Sequence, residues 1–176
     1  MKDFLSSGSH TKTAILFFLI IIICVFFYLI KNFKTIDIQL KILLMIIILG
    51  SIAGISLIQQ EEKSVTLLRN NFYLTTGSIE EYIVTKLKGK GDTGNSIKYI
   101  YSVENEFIAH SYGDNYYVDV PDDKPDLSVL YLVIYEKANP KNSFILLNYP
   151  VNSSEDLEPY KEIFKDNIPA DAIKQN

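Results

Sequence analysis

The run AILFFLIIIICVFFYLI, Ala14 to Ile30, contains no charged residue and is apolar almost throughout. As a helix it rises about 25 Å, and Thr13 with the flanking residues brings it near the ~30 Å thickness of a bilayer's hydrocarbon. Lys12 and Lys31 stand where long side chains snorkel to the two interfaces. A buried helix of a water-soluble fold carries one apolar stripe, whereas this run is apolar all round. A cleaved signal peptide ends in small residues, and this run ends Phe27-Tyr28-Leu29-Ile30-Lys31. A lipoprotein attachment site needs a small residue before its cysteine, and Ile23 precedes Cys24. The sequence therefore predicts an uncleaved span.

A second uncharged run, ILLMIIILGSIAGISLI, covers Ile42 to Ile58, and Leu40 or Ile38 can extend it. Only Lys31 to Lys41 separates the two, so the helices must turn back as an antiparallel hairpin. Gly50 and Gly54 lie four apart on one face, beside Ser51 and Ala53. Small residues at that spacing let helix backbones approach closely within lipid. They predict either contact with the first helix or a homodimer seam. Lysine placement divides on orientation: Lys31, Lys34 and Lys41 crowd the short turn, while the total favours the terminal side, giving a lean to cytoplasmic termini.

Charge separates the rest of the chain from this hairpin. Of 17 Lys and Arg and 21 Asp and Glu in the 176 residues, the first 58 hold five Lys and two Asp, net +3. Residues 59–176 hold the remaining twelve basic and nineteen acidic residues, net −7. A domain of that sign repels phosphate backbones, which disfavours nucleic acid as a partner. Cys24 is the only cysteine, so no intrachain disulfide can form. The abundance of Ile, Lys and Asn points to an AT-rich bacterial genome and hence to the inner membrane.

After Gln59 the text turns polar, and QQEEKSVTLLRNN continues the second helix, with Val65, Leu67 and Leu68 as packing residues. FYLTTGSIEEYIV predicts a strand bulged at Gly77. SIKYIYSV alternates, with Ile97, Tyr99, Tyr101 and Val103 on one face, and Glu104-Asn105 leads by a tight turn into EFIAHSY. Tyr116 to Val120 is expected as another short strand. VLYLVIYEK and SFILLNYPV, joined by a loop over 138–142, are expected at the centre of the sheet. Ser153-Ser154-Glu155-Asp156 offers capping chemistry for a helix from Leu157 to Phe164, followed by a loose tail. The fold class is therefore α+β: a transmembrane helical hairpin, then a small antiparallel β-sheet or barrel with one short C-terminal helix. Its segments are a tail at 1–12, the hairpin at 13–60 with spans near 13–30 and 40–58, a helical extension at 61–71, the β-domain at 72–152, and the helix and tail at 153–176.

GKGDTG, Gly89 to Gly94, matches the glycine pattern of dinucleotide sites. Such a loop must open a helix whose N-terminus holds the pyrophosphate. Here a strand by period follows, and Asp92 puts negative charge where phosphates would sit. The segment reads as a hairpin loop, with no cofactor. The acidic stretch Asp119, Asp122, Asp123 and Asp126, with Asp114 upstream, lacks the spacing, central Gly and closing Glu of a calcium hand. His10 and His110 are far apart, and no soluble cysteine exists, so neither a zinc site nor a nucleophile–histidine pair is indicated. Glu80 and Glu81 would point to opposite faces of a strand. Asn152-Ser153-Ser154 matches a glycosylation acceptor, which carries no weight in a bacterial protein. Among the twelve tyrosines, Tyr116 and Tyr117 are candidates for an interaction face.

The segment YLVIYEKANPKNSFILLNYPV, Tyr131 to Val151, resembles a group of uncharacterised bacterial membrane proteins. Tyr99, Tyr101, Val103 and Phe107 match the group's aromatic strand; Tyr135, Asn139, Pro140, Ser143, Leu146 and Leu147 match its strand–turn–strand. Glu104-Asn105-Glu106 departs from the Asn-Gly often found at that hairpin, and Ser128 from a Gly before the apolar strand. The resemblance implies one or two N-terminal spans and a small β-domain, and it carries no catalytic residues. Together these readings predict a membrane-anchored, non-catalytic module that binds another protein, in an immunity or envelope role. The alternative is an enzyme or metal-dependent hydrolase using the Asp-rich loop at 119–126.

Overall fold

Ser9–Asn32 and Ile38–Asn70 form two helices, α1 and α2, in the computed structural model, which describes residues 9–85 and 94–174. Both are long and apolar enough to cross a membrane. The helix α1 ends at Asn32, whose carbonyl accepts bonds from Thr35 N (2.9 Å), Thr35 Oγ1 (3.0 Å) and Ile36 N (3.1 Å). These contacts satisfy a carbonyl left over at the helix end and turn the chain into α2. Little of the apolar surface is covered within the chain; Phe17 and Leu49 are each 61% exposed. The chain divides into two compact units between Val65 and Thr66.

The second unit is built on a five-stranded antiparallel sheet of order β3-β2-β1-β4-β5. Its strands are β1 (Phe72–Ile83), β2 (Ser96–Val103), β3 (Glu106–Gly113), β4 (Leu130–Glu136) and β5 (Asn139–Val151). Alternation along each strand sends Ile79, Ile97, Tyr99, Tyr101, Tyr131, Val133 and Ile145 to one buried face, where Tyr82 and Val120 join them. The opposite face buries Leu132, Ile134 and Leu146. There Phe164, at the end of α3 (Leu157–Ile163), stands edge-on to Phe72 and Tyr149, with ring centroids 6.4 and 5.1 Å away. The edge strands curl toward each other: Tyr112 of β3 donates from Oη to the Ile145 carbonyl of β5 at 2.7 Å. They form no ladder, so the sheet curls without closing into a barrel.

Several expectations are corrected. The bulge in β1 lies between Ile79 and Glu81, not at Gly77. It brings both Glu80 and Glu81 to exposed positions rather than opposite faces. Gly77 instead permits close packing: a Cβ there would lie 2.7 Å from Val133 Cγ2 and 2.9 Å from the Ile100 carbonyl oxygen. The strand β1 is central and β5 is an edge. The apolarity of β5 reflects two covered faces, with Ile145 buried on one and Leu146 on the other. The loop expected over 138–142 is shorter, because β5 starts at Asn139 opposite Glu136, and the register shifts before Ser143. Leu67 is exposed, whereas Val65 and Leu68 are buried. The helix α3 follows a turn of 3-10 helix at Ser154–Asp156. Asp156 reaches back to accept from the Asn152 and Ser153 N–H groups, each at 2.9 Å.

The turn between β2 and β3 is tight, and both its residues adopt positive φ, Glu104 at 50° and Asn105 at 69°. This is the two-residue turn for which Asn-Gly is favoured, and a glutamate pays a steric cost there. Replacing Glu104 by Asn and Asn105 by Gly together should stabilise the unit by about 1 kcal/mol. A denaturation midpoint that does not rise would show that the turn is differently built.

Candidate interaction surface

The loop between β3 and β4 is organised by short polar side chains, which is why Tyr116 to Val120 does not form the expected strand. Asn115 Oδ1 accepts from Tyr117 N (2.9 Å) and Val118 N (3.0 Å), and Asp114 Oδ1 accepts from Val120 N (3.1 Å). Side chains thus take the backbone donors that a ladder would use. The buried Asn95, just before β2, ties the loop down: its Nδ2 donates to Val120 O and Asp122 Oδ1, both at 2.8 Å, and its Oδ1 accepts from Thr85 N at 3.0 Å. Tyr82 Oη donates to Pro121 O at 2.5 Å, and Tyr131 Oη to Asp126 O at 3.0 Å.

The tail expected to be loose is packed against this loop. Ile168, Ala172 and Ile173 are buried, and Lys174 N donates to Tyr117 O at 2.9 Å. Lys174 Nζ meets Asp119 at 2.5 Å. Tyr149 Oη donates to the Asp171 carboxylate, 2.9 and 3.0 Å from its two oxygens. A cleft of about 290 Å³ lies between loop, tail and β5, bordered by Val118, Pro121, Leu147, Asn148 and Ala170. At the loop's start Tyr117 is buried, with the Arg69 guanidinium 5.9 Å from its ring centroid. Tyr116 stands edge-on to Tyr117 at 5.4 Å and remains 38% exposed. The two candidate tyrosines therefore differ in kind: one is a base, the other is presented to solvent.

The acidic residues do not converge. Asp119 pairs with Lys174, Asp122 accepts from Asn95, and Asp114 holds the Val120 N–H. Asp126 accepts from Ser128 Oγ (2.6 Å) and Ser128 N (2.9 Å), and these bonds hold its carboxyl below the usual carboxylate range. Among the described residues no three His, Cys, Asp or Glu are grouped so as to hold a metal. His110 lies edge-on to Tyr99 at 5.8 Å, and burial pushes its imidazole below the ordinary value.

Two tyrosines of the sheet, Tyr99 and Tyr101, converge on buried Ser143, a residue without a signal for this role in the sequence. Tyr99 Oη lies 2.8 Å from Ser143 Oγ, and Tyr101 Oη donates to the same atom at 3.0 Å and also to Pro140 O. Burial pushes the Tyr99 and Tyr112 hydroxyls far up. Tyr82 is raised to about 12 by burial and then by Asp122, and Tyr149 to about 12 by burial and then by Asp171. Such hydroxyls stay neutral at physiological pH and act as hydrogen-bonding structure rather than as acids.

Gly54 lies against α1, where an added Cβ would come 3.0 Å from Phe18 Cζ; at Gly50 an added Cβ would meet open space beyond its own helix backbone. Of GKGDTG, residues Gly89 to Thr93 lie outside the described residues. Gly94 has φ +70°, accepts from Thr85 Oγ1 at 2.7 Å, and leads within two residues into β2. Compared with family models, curated proteins and solved structures, the chain matches none of them.

Proposed function

We propose that this chain is a membrane-anchored, non-catalytic interaction module of a bacterial inner membrane. The observation that carries the reading is the loop at 114–129: held by Asn95, Asn115 and its own carboxylates, it presents Tyr116 over a buried aromatic base. An aromatic ring already fixed in place loses little conformational freedom on binding, which favours it as a contact residue. The loop's acidic composition, Asp114, Asp119, Asp122, Asp123 and Asp126, favours a partner with a basic contact surface. The two uncovered apolar helices hold the module at the bilayer, where tethering raises its effective concentration toward other membrane proteins. The larger total of basic residues on the terminal side supports a cytoplasmic β-domain, against the lysine density of the turn.

A photo-crosslinking phenylalanine analogue at position 116 of the full chain, illuminated in native membranes, should give one discrete protein adduct. The same analogue at Phe107, 79% exposed beside the β2–β3 turn, should give none. Asp123→Lys should weaken the adduct at 116. Indistinguishable smears from both positions would refute the loop as the contact surface.

A further inference from the structure

The helical unit carries an apolar groove close to its turn. Phe26, Leu29, Ile30 and Phe33 form one side and Met45 and Ile48 the other, around about 440 Å³. That size lies within the range of about 300–1,000 Å³ typical of small-molecule sites. Lys41 also borders the groove, its Nζ 4.5 Å from the centroid of the Phe33 ring. Lys31 and Lys34 are exposed in the same turn, against the single carboxylate of Asp37. An apolar slot with ammonium groups at its turn end matches a molecule with a hydrocarbon chain and an anionic head.

We propose that this groove holds an acyl chain of an anionic phospholipid, with the headgroup phosphate at Lys41. The proposal rests on the reading that α1 and α2 cross a bilayer, which puts their turn at headgroup depth. Basic residues at that depth favour anionic headgroups. A zwitterionic headgroup carries its own ammonium group and loses part of this attraction. A second copy is a poorer occupant: a two-fold partner in the same membrane brings its own Lys31, Lys34 and Lys41 to the same level, cation against cation.

The test is native mass spectrometry of the full chain in detergent, titrated separately with phosphatidylglycerol and phosphatidylcholine of identical chains. Wild type should retain one phosphatidylglycerol per chain, with about fivefold preference over phosphatidylcholine. Lys41→Gln should abolish the preference while retaining a lipid. Met45→Trp, which fills the groove, should lose both lipids, whereas Leu49→Trp, on an exposed position outside the groove, should behave as wild type. Equal retention of the two lipids by wild type, or a lipid-free dimer, overturns the proposal. Alkaline carbonate washing of membranes separates the two readings. A chain that stays in the pellet but shows no lipid preference sinks the site alone; a chain washed off sinks the anchoring and the site with it.

Discussion

Raising the pH from 10 to about 12 should unfold the β-domain, because its core tyrosines cannot ionise in place. Their hydroxyls titrate near 10 in an unfolded chain, and burial holds Tyr99 and Tyr112 far above that value. Below pH 10 both states keep these protons, so the two groups add no pH dependence. Above it the unfolded chain holds fewer protons than the folded one, and stability falls as pH rises. Each fully withheld proton removes about 1.4 kcal/mol per pH unit, so the pair removes about 3. Tyr82 and Tyr149, raised to about 12, steepen the loss across the same window. A domain of this size has about 5–15 kcal/mol to lose. Near-ultraviolet circular dichroism of the full chain in detergent should collapse as tyrosinate absorbance climbs, the two signals moving together. Tyr99→Phe should flatten the slope by about 1.4 kcal/mol per pH unit. Tyrosinate forming fully while the dichroism persists would show that these rings are accessible to base.

Gly77→Ala should destabilise the β-domain by about 1–3 kcal/mol, a large effect for one methyl group. The added carbon would overlap Val133 Cγ2 at 2.7 Å and the Ile100 carbonyl oxygen at 2.9 Å. The valine can be trimmed, but the carbonyl belongs to the backbone of the neighbouring strand and cannot turn aside. Val133→Ala should therefore rescue part of the loss, with a coupling of about 1 kcal/mol between the two sites. Denaturation of the four variants in a cycle measures this coupling. Additive losses would place the valine out of contact with position 77.

Features set by strictly local chemistry were legible in the sequence. Two uncharged runs dictated two helices, alternation in SIKYIYSV dictated β2, and Glu104-Asn105 marked a tight hairpin turn although the glutamate disfavours the positive φ it adopts. What depended on distant partners was not. The stretch Tyr116 to Val120 has strand composition, yet Asn115 and Asp114 claim its backbone donors, and nothing in the composition announces that competition. The tail has weak local preferences and is ordered by burial of Ile168 and Ile173. Gly77 was visible as an anomaly in a strand, but a glycine that makes room for a neighbour looks the same as one that bends the chain. Of the candidate contact residues, exposed Tyr116 and buried Tyr117 are adjacent and chemically identical, so only the folded loop separates their roles.

The sheet order has a consequence for how the chain is made. The strand β1 pairs with β2 on one side, and with β4 on the other. On a ribosome β1, β2 and β3 emerge as a consecutive meander, complete in itself, while the second partner of β1 is still unmade. The stretch from Asp114 to Glu136, the end of β4, takes about one to five seconds to synthesise at common elongation rates of about 5–20 residues per second. Hairpins form in about 1–10 μs, far faster than that delay. Each nascent chain therefore passes through a stage with the middle of its sheet exposed as an edge, bare donors and acceptors facing outward. That stage is the one at which neighbouring nascent chains can pair wrongly and at which a chaperone has a strand to hold.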